Sequence, residues 1–328
     1  MVSKYVGHTS LSIYIFGRLT YFILKRVFTY IPVMLIVISA TFFMVHAAPG
    51  GPFDDERVAS PEILKQLNDT YNLNDPLLSQ LGNYLLNAIQ GDFGPSYKYP
   101  GRSVSELIFS GLPITMELAL YSILFALFLG ILSGILASLN PGKLLDHLPM
   151  SVSMIGICVP SIILGPMLIL TFGIWFEVFP VSGWGEFSGD KVLPTITLGS
   201  AYAAIFARLT RGGMLEILAQ DFIRTARAKG LNETRVVLYH ALRGGIMPTV
   251  GFLGPAIAGL FAGSFVVETI FQINGIGRYY VQAAFNRDYT LILGISVLIT
   301  FFTLTFVLLS DILATYLNPR LREKGSMN

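Results

Sequence analysis

The stretch "DFIRTARAKGLNETRVVLYHALRGGIMP", Asp221 to Pro248, is among the most basic in the chain. It carries Arg224, Arg227, Lys229, Arg235 and Arg243 against only Asp221 and Glu233. Leu215, Leu218, Phe222 and Ala226 recur at steps of three or four, the period of an amphipathic helix entering the stretch. Gly230 can take the left-handed conformation that ends such a helix. Asn232 can cap a second arm, with Glu233 near its positive end. Val237, Leu238, Ala241 and Leu242 supply the apolar positions of that arm, and Pro248 falls where the next apolar run begins. The pattern predicts a charged helix–turn–helix.

Its surroundings have the opposite character. Of 328 residues, 53% are hydrophobic and 13% charged, against about 25% charged in soluble domains. Mean hydropathy is +0.64, which together with that composition indicates a membrane protein. A net charge of +2 is too small to imply a nucleic-acid partner. The single cysteine, Cys158, lies in an apolar run and reads as a small core hydrophobe. His8, His46, His147 and His240 are scattered, with no metal-ligand spacing.

A helix needs about 20 apolar residues to cross a bilayer. Six runs qualify: 27–48, 114–138, 148–176, 192–209, 249–270 and 290–316. The first is too long for a signal-peptide core of about 7–15 residues and is expected to stay as an uncleaved anchor. Pro160, Pro166, Pro194 and Pro255 fall inside spans three to five. Such prolines predict kinked helices that line something. Lys and Arg fix the orientation. The side holding the N-terminus, the 139–147 and 208–248 loops and the tail has 15 of them, and the other side has 7. Both termini and the 221–248 stretch are therefore expected in the cytoplasm.

The expected domains are a cytoplasmic segment 1–26, a first span 27–48 and an external helical cap 49–113. A five-helix core 114–316, containing the loop 210–248, and a cytoplasmic tail 317–328 complete the chain. Three signals support the cap. Ser60-Pro61-Glu62 and Asp75-Pro76 read as helix starts, the second running to a stop at Gly91. Ser103 to Glu106 fits a capping box. Leu77, Leu81, Tyr84, Leu85 and Ala88 form a stripe that needs burial.

The 221–248 stretch admits three readings: a positive-inside loop, a DNA-binding helix–turn–helix, or a docking element for a soluble partner. Arginines alone explain the first but not a built turn with apolar faces. A loop clamped between two spans could hardly lay a recognition helix into a major groove. The third fits a rigid helix pair that transmits force to two spans.

"FIRTARAKGL" followed by "HALRGGIMP" resembles the cytoplasmic loop of ABC-transporter permease subunits in its peptide-transporter form. The general permease pattern begins Glu-Ala-Ala, with glycine six residues later. Here Arg224-Thr225-Ala226 and Gly230 hold those places, and Pro248 follows the glycine by 18 residues, as in the oligopeptide branch. "YNLNDPL", "GDFGPSYKY", "SVSELI", "ARLTRGGMLEIL" and "VVETIFQINGIGRYYVQAAFNRDYTLIL" likewise resemble the first permease subunit of oligopeptide importers, the OppB type. Dipeptide and nickel permeases are close relatives of that type. Residues 1 to about 20 extend beyond the usual start of the family.

The resemblance implies an all-α polytopic membrane protein of six transmembrane helices, with the type I ABC importer permease fold and an external helical cap. It implies a heterodimer with a second permease, two cytoplasmic ATPases and an external peptide-binding protein, in a bacterial cytoplasmic membrane. The substrate would be oligopeptides, with dipeptides or a nickel chelate as the alternative. Coupling to the ATPases would fall to the 222–242 stretch, on Arg224, Thr225, Ala226, Arg227, Ala228, Lys229, Gly230, Leu231, His240 and Ala241, with Pro248 at its end. ATP and Mg would be bound by the partner ATPases. Consistently, no GxxxxGK[ST] phosphate loop occurs here, and no catalytic residue, cofactor site or metal site is expected in this chain.

Two other classes fit less well. An intramembrane peptidase would need a nucleophile–base pair, paired acids or metal ligands at membrane depth. A secondary transporter would show a larger, internally repeated set of spans. Among single residues, Glu117 and Glu268 are expected at the interface, Asp311 is expected to pair with a loop arginine, and the Gly-Ile-Gly of "INGIGRYY" is expected to shape an external turn. Spans three and five are the expected pathway walls.

Overall fold

The computed structural model describes residues 3–48, 51–53, 73–187 and 189–317. The start expected at Ser60-Pro61-Glu62 lies outside them. The described residues form helices, with only an isolated bridge between Pro95 and Ser103. In chain order these are α1 (Ser3–Ala47), α2 (Leu77–Ile89), α3 (Val104–Leu139), α4 (Leu144–Cys158), α5 (Ser161–Leu168), α6 (Val192–Leu218), α7 (Asp221–Ala228), α8 (Met247–Gly251), α9 (Leu253–Ile270), α10 (Ile276–Asn286) and α11 (Tyr289–Leu317). Five helices are long and apolar enough to cross a membrane; a bent pair raises the number to six.

That pair replaces the single kinked helix expected over 148–176. α4 and the segment Ser161–Trp175 meet at 108°. Pro160 has no N–H to give α4, and it forces Val159 out of helical geometry, to φ −99 and ψ 112. Cys158, expected in the core, is exposed because it ends α4 at this break. Pro194 and Pro255 sit in the first turns of α6 and α9, where a missing N–H costs nothing; the 249–270 run is itself interrupted at Phe252, between α8 and α9.

The 114–138 run is part of a longer helix. Ser103 accepts from the Glu106 N–H at 3.1 Å, and Glu106 accepts from the Ser103 N–H at 3.4 Å, so the predicted capping box starts α3 at Val104. α3 thus crosses the boundary expected at residue 113. By 1.5 Å per residue it is about 54 Å long, enough to project beyond a hydrocarbon core. α2 ends at Gln90, with Gly91 at φ +80, as its sequence predicts. Its stripe buries Leu81 against Phe42 and Leu293, with Tyr84 and Leu85 alongside; Leu77 stays exposed.

α3 and α6 form the central pair. Lipid supplies no hydrophobic drive between helices, so close approach through small residues must hold them. Gly130 and Gly134, one turn apart, face Ala203, Phe206, Ala207 and Thr210; a Cβ at either glycine would collide with the α6 backbone. Leu118, Ala126, Leu198, Phe206, Leu260 and Phe261 join α3, α6 and α9 in one core. Phe261 stacks on Phe302 and Phe306 of α11, at 5.5 and 5.6 Å between centroids.

Candidate functional site

The 219–248 unit is a rigid knob on the ends of two spans. α6 stops at Leu218, and α7 starts afresh at Asp221 rather than continuing it. Asp221 lies in its first turn and Arg227 in its last, both favourable to the helix dipole. Gly230, at φ +78, donates to the Arg227 carbonyl at 2.9 Å, while the Leu231 N–H reaches Ala226 O at 3.4 Å. These bonds close the helix end as predicted. Asn232 then accepts from the Arg235 N–H at 2.9 Å and caps the second arm. That arm runs through Glu233–Arg235, a π turn at Val236–Ala241 and Leu242–Gly245.

A bidentate bridge clamps the arms: Arg227 Nε donates to Glu233 Oε1 at 2.7 Å and Nη2 to Oε2 at 3.1 Å. It holds the Glu233 carboxyl below its ordinary pKa and raises that of Arg227. Both side chains are well exposed, so the bridge sets geometry more than stability. The stabilising contacts lie inside. Ile223, Ala226, Val236, Val237 and Ala241 are buried with Met214, and Ile135, Ile217, Leu231 and Leu242 pack around them. The knob is therefore fused to α3 and α6.

The sequence-singled residues divide accordingly. Ala226 and Ala241 face this small core, and Leu231 is half-buried. Arg224, Thr225, Arg227, Ala228, Lys229, Gly230, His240 and Pro248 are exposed. Phe222 and Leu238, expected on the packed faces, point outward instead at 49% and 52% exposure, because Ile223 and Val236 take the inward positions. Tyr239, next to Leu238 in the chain and passed over by the sequence reading, is 75% exposed. Large apolar side chains are thus left outside on both arms of the turn, a signal available in the sequence only once the register was known.

At the opposite end of α3, Glu268 departs from expectation. It is not at an interface but fully buried. Thr115 donates to its Oε1 at 2.7 Å, and the Arg278 N–H, in the first turn of α10, donates to its Oε2 at 3.1 Å. The Ile276 N–H bonds Thr115 Oγ1 at 2.9 Å. The carboxylate thus sits at a helix N-terminus, which favours negative charge. Gly275 is needed here because a Cβ would strike both Glu268 and Thr115. The Gly-Ile-Gly turn serves this carboxylate.

Three further ion pairs tie spans together. Glu117 accepts from Lys191 Nζ at 2.6 Å and Trp184 Nε1 at 2.9 Å. Asp311 pairs at 2.9 Å with Arg26 of α1, not with a loop arginine, because α1 packs along α11. Arg211 grips Asp146 with Nε at 2.6 Å and Nη2 at 2.7 Å, and the Gly142 N–H adds a bond at 2.9 Å. Among the described residues no cluster of His, Cys, Asp and Glu could hold a metal ion.

A bundle of membrane-length helices, one of them broken, with a rigid helix pair fused beneath two spans, defines a polytopic transport permease. The chain belongs to the family of binding-protein-dependent transport system inner membrane components, whose model matches residues 126–323. It is 41% identical over 302 residues to the oligopeptide transport system permease protein OppB of Haemophilus influenzae, covering 92% of this chain and 99% of that protein. OppB of Escherichia coli K12 is 40% identical over the same shares. The dipeptide transport system permease protein DppB of Bacillus subtilis is 38% identical, covering 93% and 99%. Among solved structures, the inward-facing MetNI methionine ABC transporter superposes with a TM-score of 0.56 at 19% identity, over 65% of this chain and 96% of that one. An amino acid ABC transporter gives 0.50 at 18% identity, over 65% and 94%. These two likenesses establish the fold: that of ABC importer permeases.

Proposed function

We infer that this permease subunit works in an ATP-driven importer of oligopeptides. It forms the pathway with a second permease and takes peptide from an external binding protein. The 219–248 knob docks on a cytoplasmic ATPase and carries its movement to α3 and α6. The observation that carries this reading is the knob itself: a clamped helix pair with a core of its own, fused to two spans, presenting Phe222, Leu238 and Tyr239 outward. A floppy loop could not transmit a displacement, whereas a packed unit moves as a body. The 15-to-7 excess of Lys and Arg supports a cytoplasmic position for the knob and both termini. Similarity to OppB and DppB relatives supports peptides as the substrate class.

Purification of the tagged chain from membranes tests the assembly, with a second permease and an ATPase expected to copurify. Phe222→Asp with Tyr239→Asp should release the ATPase while the second permease stays. Purification without any ATPase, or full ATP-dependent uptake by the double variant, would refute the reading. Uptake of labelled peptides of graded length then sets the preferred size.

A further inference from the structure

Two arginines one turn apart on α6, Arg208 and Arg211, face one stripe of α4. Leu144, Leu145, Leu148, Val152 and Ile155 leave much of α4 apolar and exposed. His147, Met150, Ser151 and Met154 recur at steps of three and four and share a different face. With Asp146 and Arg211 they line an open cavity of about 400 Å³ between the two helices. Arg211 is committed to Asp146. Arg208 is not: it lies beside the cavity lining, its Nη2 3.0 Å from Sδ of the lining residue Met154, its side chain is exposed, and no carboxylate of the described residues pairs with it.

Arg208 lies ten residues before the end of α6, about 15 Å along the axis. It is also the penultimate residue of the 192–209 apolar run, where a cation needs water or a counter-charge, and ionisable residues of spans mark substrate paths. The break at Val159–Pro160 in the neighbouring pair supports an aqueous cavity, because irregular backbone at membrane depth occurs where it is buried in protein or lines one.

We propose that Arg208 binds a carboxylate of the transported peptide in the inner part of the pathway. Guanidinium and carboxylate match as a bidentate pair. His147 and Ser151 add hydrogen-bonding groups, while Met150 and Met154 offer a pliable surface that accepts varied side chains. The C-terminal group common to all peptides is then recognised, and the side chains are not. This rests on the peptide-import reading.

The test compares uptake of one labelled pentapeptide and its C-terminal amide by the complete complex in proteoliposomes. Selection by other subunits cancels in the ratio between wild type and variant. Arg208→Gln should slow the free peptide about tenfold or more and leave the amide within about twofold, with Arg208→Lys recovering part of the loss. Equal losses for the two peptides, or none, overturn the proposal. Loss of the second permease from the R208Q preparation, but not from R208K, assigns Arg208 to a subunit contact and also overturns it. A wild-type complex that imports neither peptide removes the import reading itself.

Discussion

Thr115 of α3 and Glu268 of α9, 153 residues apart, share a 2.7 Å hydrogen bond inside the fold. The same hydroxyl accepts the Ile276 N–H, and the same carboxylate accepts the Arg278 N–H. Two spans and the start of α10 are thereby fixed to one another. Thr115→Val removes both bonds and leaves a buried carboxylate short of a donor. A loss of about 1–3 kcal/mol is expected, seen as a lower melting temperature of the purified complex. An unchanged melting temperature would mean that the carboxylate finds another donor and that this joint is dispensable.

Gly275→Ala attacks the same joint sterically. The added methyl would meet the Glu268 carboxylate and Thr115 hydroxyl, which their mutual bond and the Ile276 and Arg278 N–H groups hold in place. About 1–3 kcal/mol of overpacking cost is expected. Pairing it with Thr115→Ser, which keeps the hydroxyl, should not restore stability; restoration would show that the Thr115 methyl, rather than the carboxylate, is the obstacle.

The seam between α3 and α6 predicts a sharper outcome. Gly134→Val would drive a branched side chain into Thr210 and the Ala207 carbonyl. The backbones must then separate, and the loss of close packing removes the main attraction between helices in lipid. Membrane accumulation should collapse, measured by quantitative blotting, whereas Gly142→Ala, in open space at φ +74 outside the seam, should cost far less. Comparable accumulation of the two would dismiss the seam.

Asp146 is 3% exposed and bound by Arg211 and the Gly142 N–H. Asp146→Leu leaves the partly exposed Arg211 charge without its partner and should lower the melting temperature of the complex. Asp146→Leu with Arg211→Leu should recover much of that stability, because a buried pair offsets its own desolvation only narrowly. Additive losses in a double-mutant cycle would show that the two side chains act independently.

Gly230 sets a graded series. Alanine at φ +78 costs about 1–2 kcal/mol of local strain and meets no neighbour. Proline cannot reach that φ and also loses the bond to Arg227 O. ATP-dependent uptake should fall much further in Gly230→Pro than in Gly230→Ala. Equal effects would argue against a role for the shape of the turn.

Much of the knob was legible in the sequence because its signals are local. Gly230 ends a helix, Asn232 caps the next and Ser103 caps α3 by short-range bonds that residue type and spacing dictate. Register was not legible. By spacing Phe222 continues the stripe of Leu215 and Leu218, yet α6 stops at Leu218 and α7 begins on a new phase that turns Ile223 and Ala226 inward. The break in the third span was visible only as Pro160. Its 108° size depends on what each half packs against, not on the proline alone.

By itself the sequence determined the membrane-protein class, most of the helices long and apolar enough to cross, and the helix–turn–helix between two of them. Hydropathy, capping and turn chemistry are properties of neighbouring residues. Only the tertiary structure decided that Glu268 is buried against Thr115 and Gly275, that Asp311 meets Arg26, and that Arg211 is held by Asp146 while Arg208 rests on Met154. Each of these joins residues far apart in the chain. Which carboxylate meets which donor follows from how the helices pack, and short-range pattern carries no record of that.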